Sequence, residues 1–301
     1  MNSPLAWPVT FKNNIIYVLD ETELPLEEKY IEVKTLDEAL RVLGQMKTRA
    51  FGQVLLFFYT CAISNKIDEI AQEFLKTRPT FDFFLLSRIL KEVFEKTNDI
   101  KSAVDILLDN FEKKRRNRVK KLASILPDYS KILTICNVSG ELVYLYEALR
   151  DIGKKVAFYV SETRPYLQGS RLTFWELNRN NIPVKLICDN QSAIIMEKKL
   201  VNCIITGSDR STIKGDIINK IGTYPLAVLA NYYNIPFYSL VQYPSDIDVN
   251  EIVIEERPKE EIFMFINSSH IYAHLDAIYM SFDITPSELI TGRIDMEGNL
   301  R

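Results

Sequence analysis

Apolar residues recur at helical spacing through the first part of the chain and gather into short continuous runs in the rest. NNIIYVLD (13–20) is rich in β-branched and aromatic residues and predicts a strand. TLDEALRVLGQM (35–46) opens on Thr35 with Glu38 three positions later, a capping-box signature, and its apolar positions follow the helical period. GQVLLFFYTCAI (52–63) is apolar nearly all round and predicts a buried helix. PTFDFFLLSRILKEVFEKT (79–97) and SAVDILLDNFEKKRRNRVKKLASIL (102–126) predict two more helices, the second a long one.

From about residue 127 the pattern changes. KILTIC, KKVAFYV, IPVKLIC, VNCIITG and IPFYSLV read as strands, and ELVYLYEALRDIG, a segment ending at Leu177, SAIIMEK and YPLAVLANYYN as the helices between them. Such alternation with short connections predicts a doubly wound parallel sheet. The chain is therefore read as α/β, with a smaller, mainly helical N-terminal domain over 1–122 and a parallel-sheet domain over 123–301. No GxGxxG accompanies the sheet, so it does not announce a dinucleotide. Ligands of such sheets sit beyond the carboxyl ends of the strands. That rule selects Cys136 and Asn137, the loop from Val160 to Gly169, Asp189 and Asn190, and the loop from Gly207 to Gly222.

Composition narrows the chemistry. The 301 residues, 47% of them hydrophobic, suffice for two cores, and a net charge of -3 gives no field for nucleic acid or a membrane surface. There is no apolar run of transmembrane length and no signal-peptide pattern at the N-terminus, so a cytoplasmic setting is expected. KKRRNRVKK (113–121) could be a phosphate or nucleic-acid patch. Without interleaved aromatics it reads instead as a solvated helix face. The four cysteines form no CxxC pair, and His270 and His274 stand i, i+4 apart without the glutamate of HExxH, so no metal site is expected. Acid–base chemistry must then rest on carboxylates, a thiol or lysine.

Each candidate has a plain reading beside the chemical one. Asp209 could be an acid kept protonated by apolar neighbours, or a carboxylate satisfied by backbone amides. Asn219, Lys220 and the helix start at Gly222–Thr223 could seat a phosphate, or could be ordinary loop polarity. Cys136 could be catalytic or a small hydrophobe at a strand end. Arg164 and Gln168 could hold an anion in a loop where Gly169 lets backbone approach closely. Arg49 and Arg78 precede apolar helices, where acidic residues are the usual choice.

ETRPYLQGSRLTFWEL, GSDRSTIKGDIINKIGTYPLAVLA and IPFY, together with LDETELP, MKTRAFGQ, TRPT, IVIEER and FDITPSELITGRID, resemble the family of methylthioribose-1-phosphate isomerase and the regulatory subunits of translation initiation factor 2B. The likeness runs along nearly the whole chain, and LDETELP and QGSRLTFWEL favour the isomerase branch. It implies a Rossmann-like C-terminal domain, a homodimer, no cofactor and no metal, and isomerisation of a small-molecule sugar phosphate from aldose to ketose. By motif it implies Asp209 as general acid and Cys136 as the second catalytic residue. Arg49, Ala50, Phe51, Arg78, Gln168, Asn219 and Lys220 are implied as the substrate-binding set, with Glu162, Arg164 and Arg171 as braces of the loop or the dimer contact.

The chain departs from the family at three places. R-G-A-P is replaced by Arg49-Ala50-Phe51-Gly52, so that Phe51 is expected to block or reshape the pocket. T-H-C-N-T-G is replaced by Thr134-Ile135-Cys136-Asn137-Val138-Ser139-Gly140, and G-A-D-R-I by Gly207-Ser208-Asp209-Arg210-Ser211. These changes keep a second reading in view: a non-catalytic subunit, like those of initiation factor 2B, that binds a sugar phosphate or nucleotide.

Overall fold

The computed structural model describes residues 1, 3–244, 248–254, 256–263 and 276–301, so His270 and His274 lie outside the described residues. The chain begins with a three-stranded antiparallel sheet, β1 (Val9–Lys12), β2 (Ile15–Leu19) and β3 (Tyr30–Val33). Asn13 and Asn14 both take positive φ between β1 and β2, the backbone a tight two-residue hairpin needs and asparagine tolerates. Helix α1 (Leu36–Gly44) starts on the expected capping box: Thr35 accepts from the Glu38 amide, and the Glu38 carboxylate accepts from the Thr35 amide. Helix α2 (Phe51–Ser64) is buried along almost its whole length. Around it pack α3 (Ile67–Thr77), an addition to the expected set, α4 (Phe83–Thr97) and the long α5 (Ile100–Ile125). The expected domain boundary, at residues 122 and 123, falls in the last turn of α5.

The strands that follow, in chain order, are β4 (Ser130–Thr134), β5 (Val156–Ser161), β6 (Val184–Ile187), β7 (Cys203–Gly207), β8 (Arg210–Ser211), β9 (Ile217–Lys220), β10 (Phe237–Leu240), β11 (Phe282–Thr285) and β12 (Gly292–Ile294). Six of them form one parallel sheet in the order β12-β10-β7-β4-β5-β6. Successive residues point to opposite faces. Ile132 faces a core made with α5, α6 (Glu141–Asp151) and α7 (Trp175–Arg179), while Leu133 faces one made with α8 (Ser192–Glu197) and α9 (Thr223–Tyr233). The chain fills the sheet outward from β4 through β5 and β6, then returns to the other side of β4 at β7. The direction reverses between β4 and β7, which opens a crevice beyond their carboxyl ends.

Two local expectations are corrected. The segment from Gly207 to Gly222 is not a loop: β8 and β9 form a short hairpin that β11 extends, and Asn219 and Lys220 lie on β9. The basic run on α5 is not a wholly solvated face. Lys113, Arg116, Lys120 and Lys121 are exposed, but Arg115 and Arg118 are each only 1% exposed. Among the described residues, no helix is long and apolar enough to cross a membrane.

Candidate active site

The turn after β4 brings Cys136 to the crevice with φ +62, a left-handed backbone. It is held at both ends: the Cys136 amide donates to Thr163 Oγ1 at 2.9 Å, and its carbonyl accepts from Thr173 Oγ1 at 2.6 Å. Asp209 follows β7 on the other side of the switch point, its amide donating to the Ile218 carbonyl at 3.0 Å. The loop after β5 contributes Gln168, which is buried and whose Oε1 has no hydrogen-bond partner among the described residues. From the helical layer come Arg49 and Ala50, between α1 and α2, Phe51, the first residue of α2, and Arg78. Arg78 caps the end of α3 instead of starting a helix, and its guanidinium meets the Met46 sulfur.

The nine residues of the implied catalytic and substrate-binding set line one cavity, a cleft of about 810 Å³ with its open mouth included, whereas Arg164, also considered for the anion, does not line it. Arg49, Arg78 and Lys220 reach it from three different elements, and Arg78 and Lys220 are almost wholly buried. Burial pushes the Lys220 ammonium below the usual lysine range, and Arg49 and Arg78 act in the same direction, while Cys136 and Asp209 oppose it. Burial pushes the Cys136 thiol up to about 11 against the pull of Lys220, so at neutral pH it is a thiol and not a thiolate. A cleft lined by cations together with a carboxyl and a thiol is suited to an anionic polar ligand. No cluster of ligands for a metal ion occurs among the described residues.

The start of α9 is not a vacant phosphate seat. Asp283, on β11, accepts from the Gly222 amide at 2.7 Å, so a carboxylate already occupies that helix terminus. Its carboxyl is nevertheless pushed up to about 6 by burial. Gly169 allows the close backbone approach expected of it, here against β5. A Cβ there would stand 1.7 Å from the Ser161 carbonyl, so the missing side chain lets the helical segment from Gly169 press against the end of β5. Arg164 and Arg171 brace this loop: Arg164 donates to the Ile262 carbonyl at 2.7 Å, and Arg171 to the Leu24 carbonyl at 2.9 Å.

Phe51 reshapes the cleft without plugging it. Its ring turns toward Trp7 (5.4 Å) and lies 4.0 Å from the Arg115 guanidinium, while its amide donates to Ser139 Oγ at 3.3 Å. The neighbouring Ala50 takes φ 44 and ψ -116, a backbone that glycine adopts far more readily.

Several residues escaped the sequence reading, and three of them, Arg115, Arg118 and Glu141, line the cleft itself. Glu141 receives Arg115 at 3.1 Å and Arg118 at 2.6 Å, and Arg118 also donates to the Val241 carbonyl at 2.9 Å. Helical phase could have revealed this, since Phe111, Arg115, Arg118 and Leu122 share one face of α5. Glu21 is buried and accepts from Thr48 Oγ1 at 2.8 Å and the Arg49 amide at 3.0 Å, which orients that arginine. Glu176 is buried beside Asn137 and Ser3, and burial pushes it up to about 8. Nothing local in the sequence marks Glu21 or Glu176 as buried.

Comparison with known proteins gives this architecture relatives. The model of the Initiation factor 2 subunit family matches residues 28–301. The methylthioribose-1-phosphate isomerase of Aquifex aeolicus is 37% identical over 97% of this chain and 68% of its own length. Among solved structures, 5-methylthioribose 1-phosphate isomerase from Pyrococcus horikoshii superposes with a TM-score of 0.78 at 28% identity, covering 96% of this chain and 90% of that one. The delta subunit of translation initiation factor eIF-2B from A. fulgidus superposes with a TM-score of 0.77 at 27% identity, covering 96% and 94%.

Proposed function

The chain belongs to the Initiation factor 2 subunit family, and from that premise we propose that it is an aldose–ketose isomerase of a pentose 1-phosphate, with methylthioribose 1-phosphate the first substrate to test. One observation carries the reading. A carboxyl and a thiol stand at the carboxyl ends of the two strands that flank the switch point, over a single cavity that five cationic side chains also line, two of them, Arg115 and Arg118, already paired with Glu141.

The chemistry calls for these groups. A sugar 1-phosphate is a locked acetal, so its ring opens only if the ring oxygen is protonated as the C1–O bond breaks. Asp209 is assigned that proton. Hydrogen then moves from C2 to C1. A protonated thiol is a poor base toward a carbon-bound proton, so the reading takes the hydride route. The hydride passes from C2 to the electron-deficient C1, and the C2 hydroxyl returns its proton to the Asp209 carboxylate. Cys136 then serves as a hydrogen-bond donor at C2. Arg49, Arg78 and Lys220 hold the phosphate, Asn219 and the unpartnered Gln168 Oε1 orient the sugar, and the backbone at Ala50 and Phe51 shapes the wall. The reading carries two further expectations, a homodimer and a cytoplasmic setting; light scattering of the purified protein measures the first.

The test is turnover. Purified protein is incubated with methylthioribose 1-phosphate or ribose 1-phosphate, and ketose formation is followed by NMR. Ketose is expected from the former, with a loss of at least about a hundredfold in Asp209→Asn. Turnover untouched by Asp209→Asn overturns the assignment of the acid. Phosphate-ester binding without turnover moves the protein to the non-catalytic reading, which its similar superposition on the A. fulgidus factor favours.

A further inference from the structure

One aromatic ring, outside the nine residues already discussed, stands among the cations of the cleft. Tyr166 lies on the loop after β5, two positions before Gln168. Its ring centroid is 5.4 Å from the Arg49 guanidinium, 5.7 Å from the Lys220 ammonium and 6.0 Å from the Arg257 guanidinium. Arg257 is already neutralised, paired with Glu261 at 2.6 Å, and it donates to the Tyr166 hydroxyl at 2.8 Å. That hydrogen bond holds the ring by its hydroxyl edge, and Arg49 and Lys220 stand nearer the ring centroid than Arg257 does.

We propose that Tyr166 is a positioning residue that lets Arg49 and Lys220 remain charged side by side in the empty cleft, ready for the anion. The inference rests on the sugar-phosphate reading of the cleft. Its physical basis is the ring quadrupole: a cation near an aromatic face is stabilised, and the effect grows when water is excluded. Lys220 needs such help. It is 4% exposed and forms no salt bridge among the described residues. The charged and titratable groups that act on it are Cys136, Asp209, Arg49 and Arg78, two of which are cations that oppose its protonation. Its other close ring is Phe282, at 5.1 Å, and the next residue, Asp283, turns its carboxylate to the Gly222 amide instead. Burial pushes the Tyr166 hydroxyl itself up to about 12, so the ring acts as a neutral phenol and not as a phenolate counter-ion.

The experiment measures binding of inorganic phosphate by calorimetry as the pH is raised from neutral towards the usual lysine range, about 10.4. Lys220 binds the anion only while protonated, so affinity falls as pH rises through its pKa. Removing the ring lowers that pKa and moves the fall to lower pH. Tyr166→Leu is expected to weaken phosphate about tenfold near pH 8 and shift the alkaline limb downward by about one pH unit. Tyr166→Phe keeps the ring, loses only the hydroxyl's bonds to Arg257 and Glu261, and should follow the wild type. Wild-type affinity in Tyr166→Leu overturns the proposal. So does equal weakening in both variants without a shift of the limb, which would assign the effect to the hydroxyl. Tyr166→Met fills similar space without a quadrupole and gives the same reading should Tyr166→Leu unfold; if both unfold while Tyr166→Phe does not, the ring is structural and the proposal fails. A wild-type protein that ignores phosphate overturns the anion reading of the cleft, and this inference with it.

Discussion

Ala50 holds a backbone that suits glycine, at the position where the family motif has one. A non-glycine residue in such a region costs on the order of 1–3 kcal/mol, and Ala→Gly returns up to about 1 kcal/mol of that through the freer unfolded chain. Ala50→Gly is therefore expected to raise stability by about 1 kcal/mol, read as a higher urea midpoint with an unchanged slope. At Cys136 the expected behaviour is inertness. With its thiol pushed up to about 11, alkylation by iodoacetamide at neutral pH should be slow and should accelerate only in alkali, while exposed Cys188 reacts first. Mass spectrometry of the modified peptides separates the two. The residue types at this site were legible in the sequence, because the strand-end rule and the family motifs both point to Cys136, Asp209 and Gln168. Their state was not. A thiol's pKa and a carboxylate's partner depend on side chains far away in sequence, as the occupation of the α9 terminus by Asp283 illustrates.

At the scale of elements, the sequence told most where periodicity is long and local chemistry is explicit. The capping box of α1, the apolar α2 and the alternation from β4 to β10 are all of that kind. It told least where elements are short: β8, β9 and β11 have two to four residues each, and β11 finds its partner, β9, across the chain. The basic run of α5 misleads for a related reason, since composition does not say which side of a helix is buried. Two consequences are measurable. Glu141→Ala leaves buried Arg118 without its carboxylate and Arg115 with only Glu112 at 3.6 Å, and a loss of about 3–5 kcal/mol is expected in chemical denaturation. Gly169→Ala forces a methyl group against the Ser161 carbonyl and should cost about 2–3 kcal/mol. Because Gln168 precedes it directly, ligand affinity should fall with it.

For the molecule as a whole, two buried carboxyls tilt the pH dependence of stability in opposite directions. Glu176 has a folded value raised to about 8 from a reference of 4.5, so the native state holds a proton that the unfolded chain releases. Its contribution is therefore fully present below about pH 4.5 and is lost as pH rises toward 8. Glu141 is held below 4.5 by Arg118 and Arg115 against the cost of burial; its contribution is present above that value and is lost as acid protonates it. Glu176→Gln, which keeps the shape of the neutral acid, should flatten the decline in melting temperature between pH 5 and pH 8 and leave the acid limb unchanged.

The reversal of strand order between β4 and β7 also has a kinetic meaning. Cys136 and Asp209 become neighbours only when two strands far apart in sequence pair, while α3, α4 and α5 are built from contacts close along the chain. Local contacts form early and distant pairings late. During refolding, helical circular dichroism should therefore recover before the capacity to bind phosphate, and in mild denaturant that capacity should vanish while much of the helix signal persists. Anion binding would then be among the last properties the chain acquires, an assay of completed assembly as much as of the site itself.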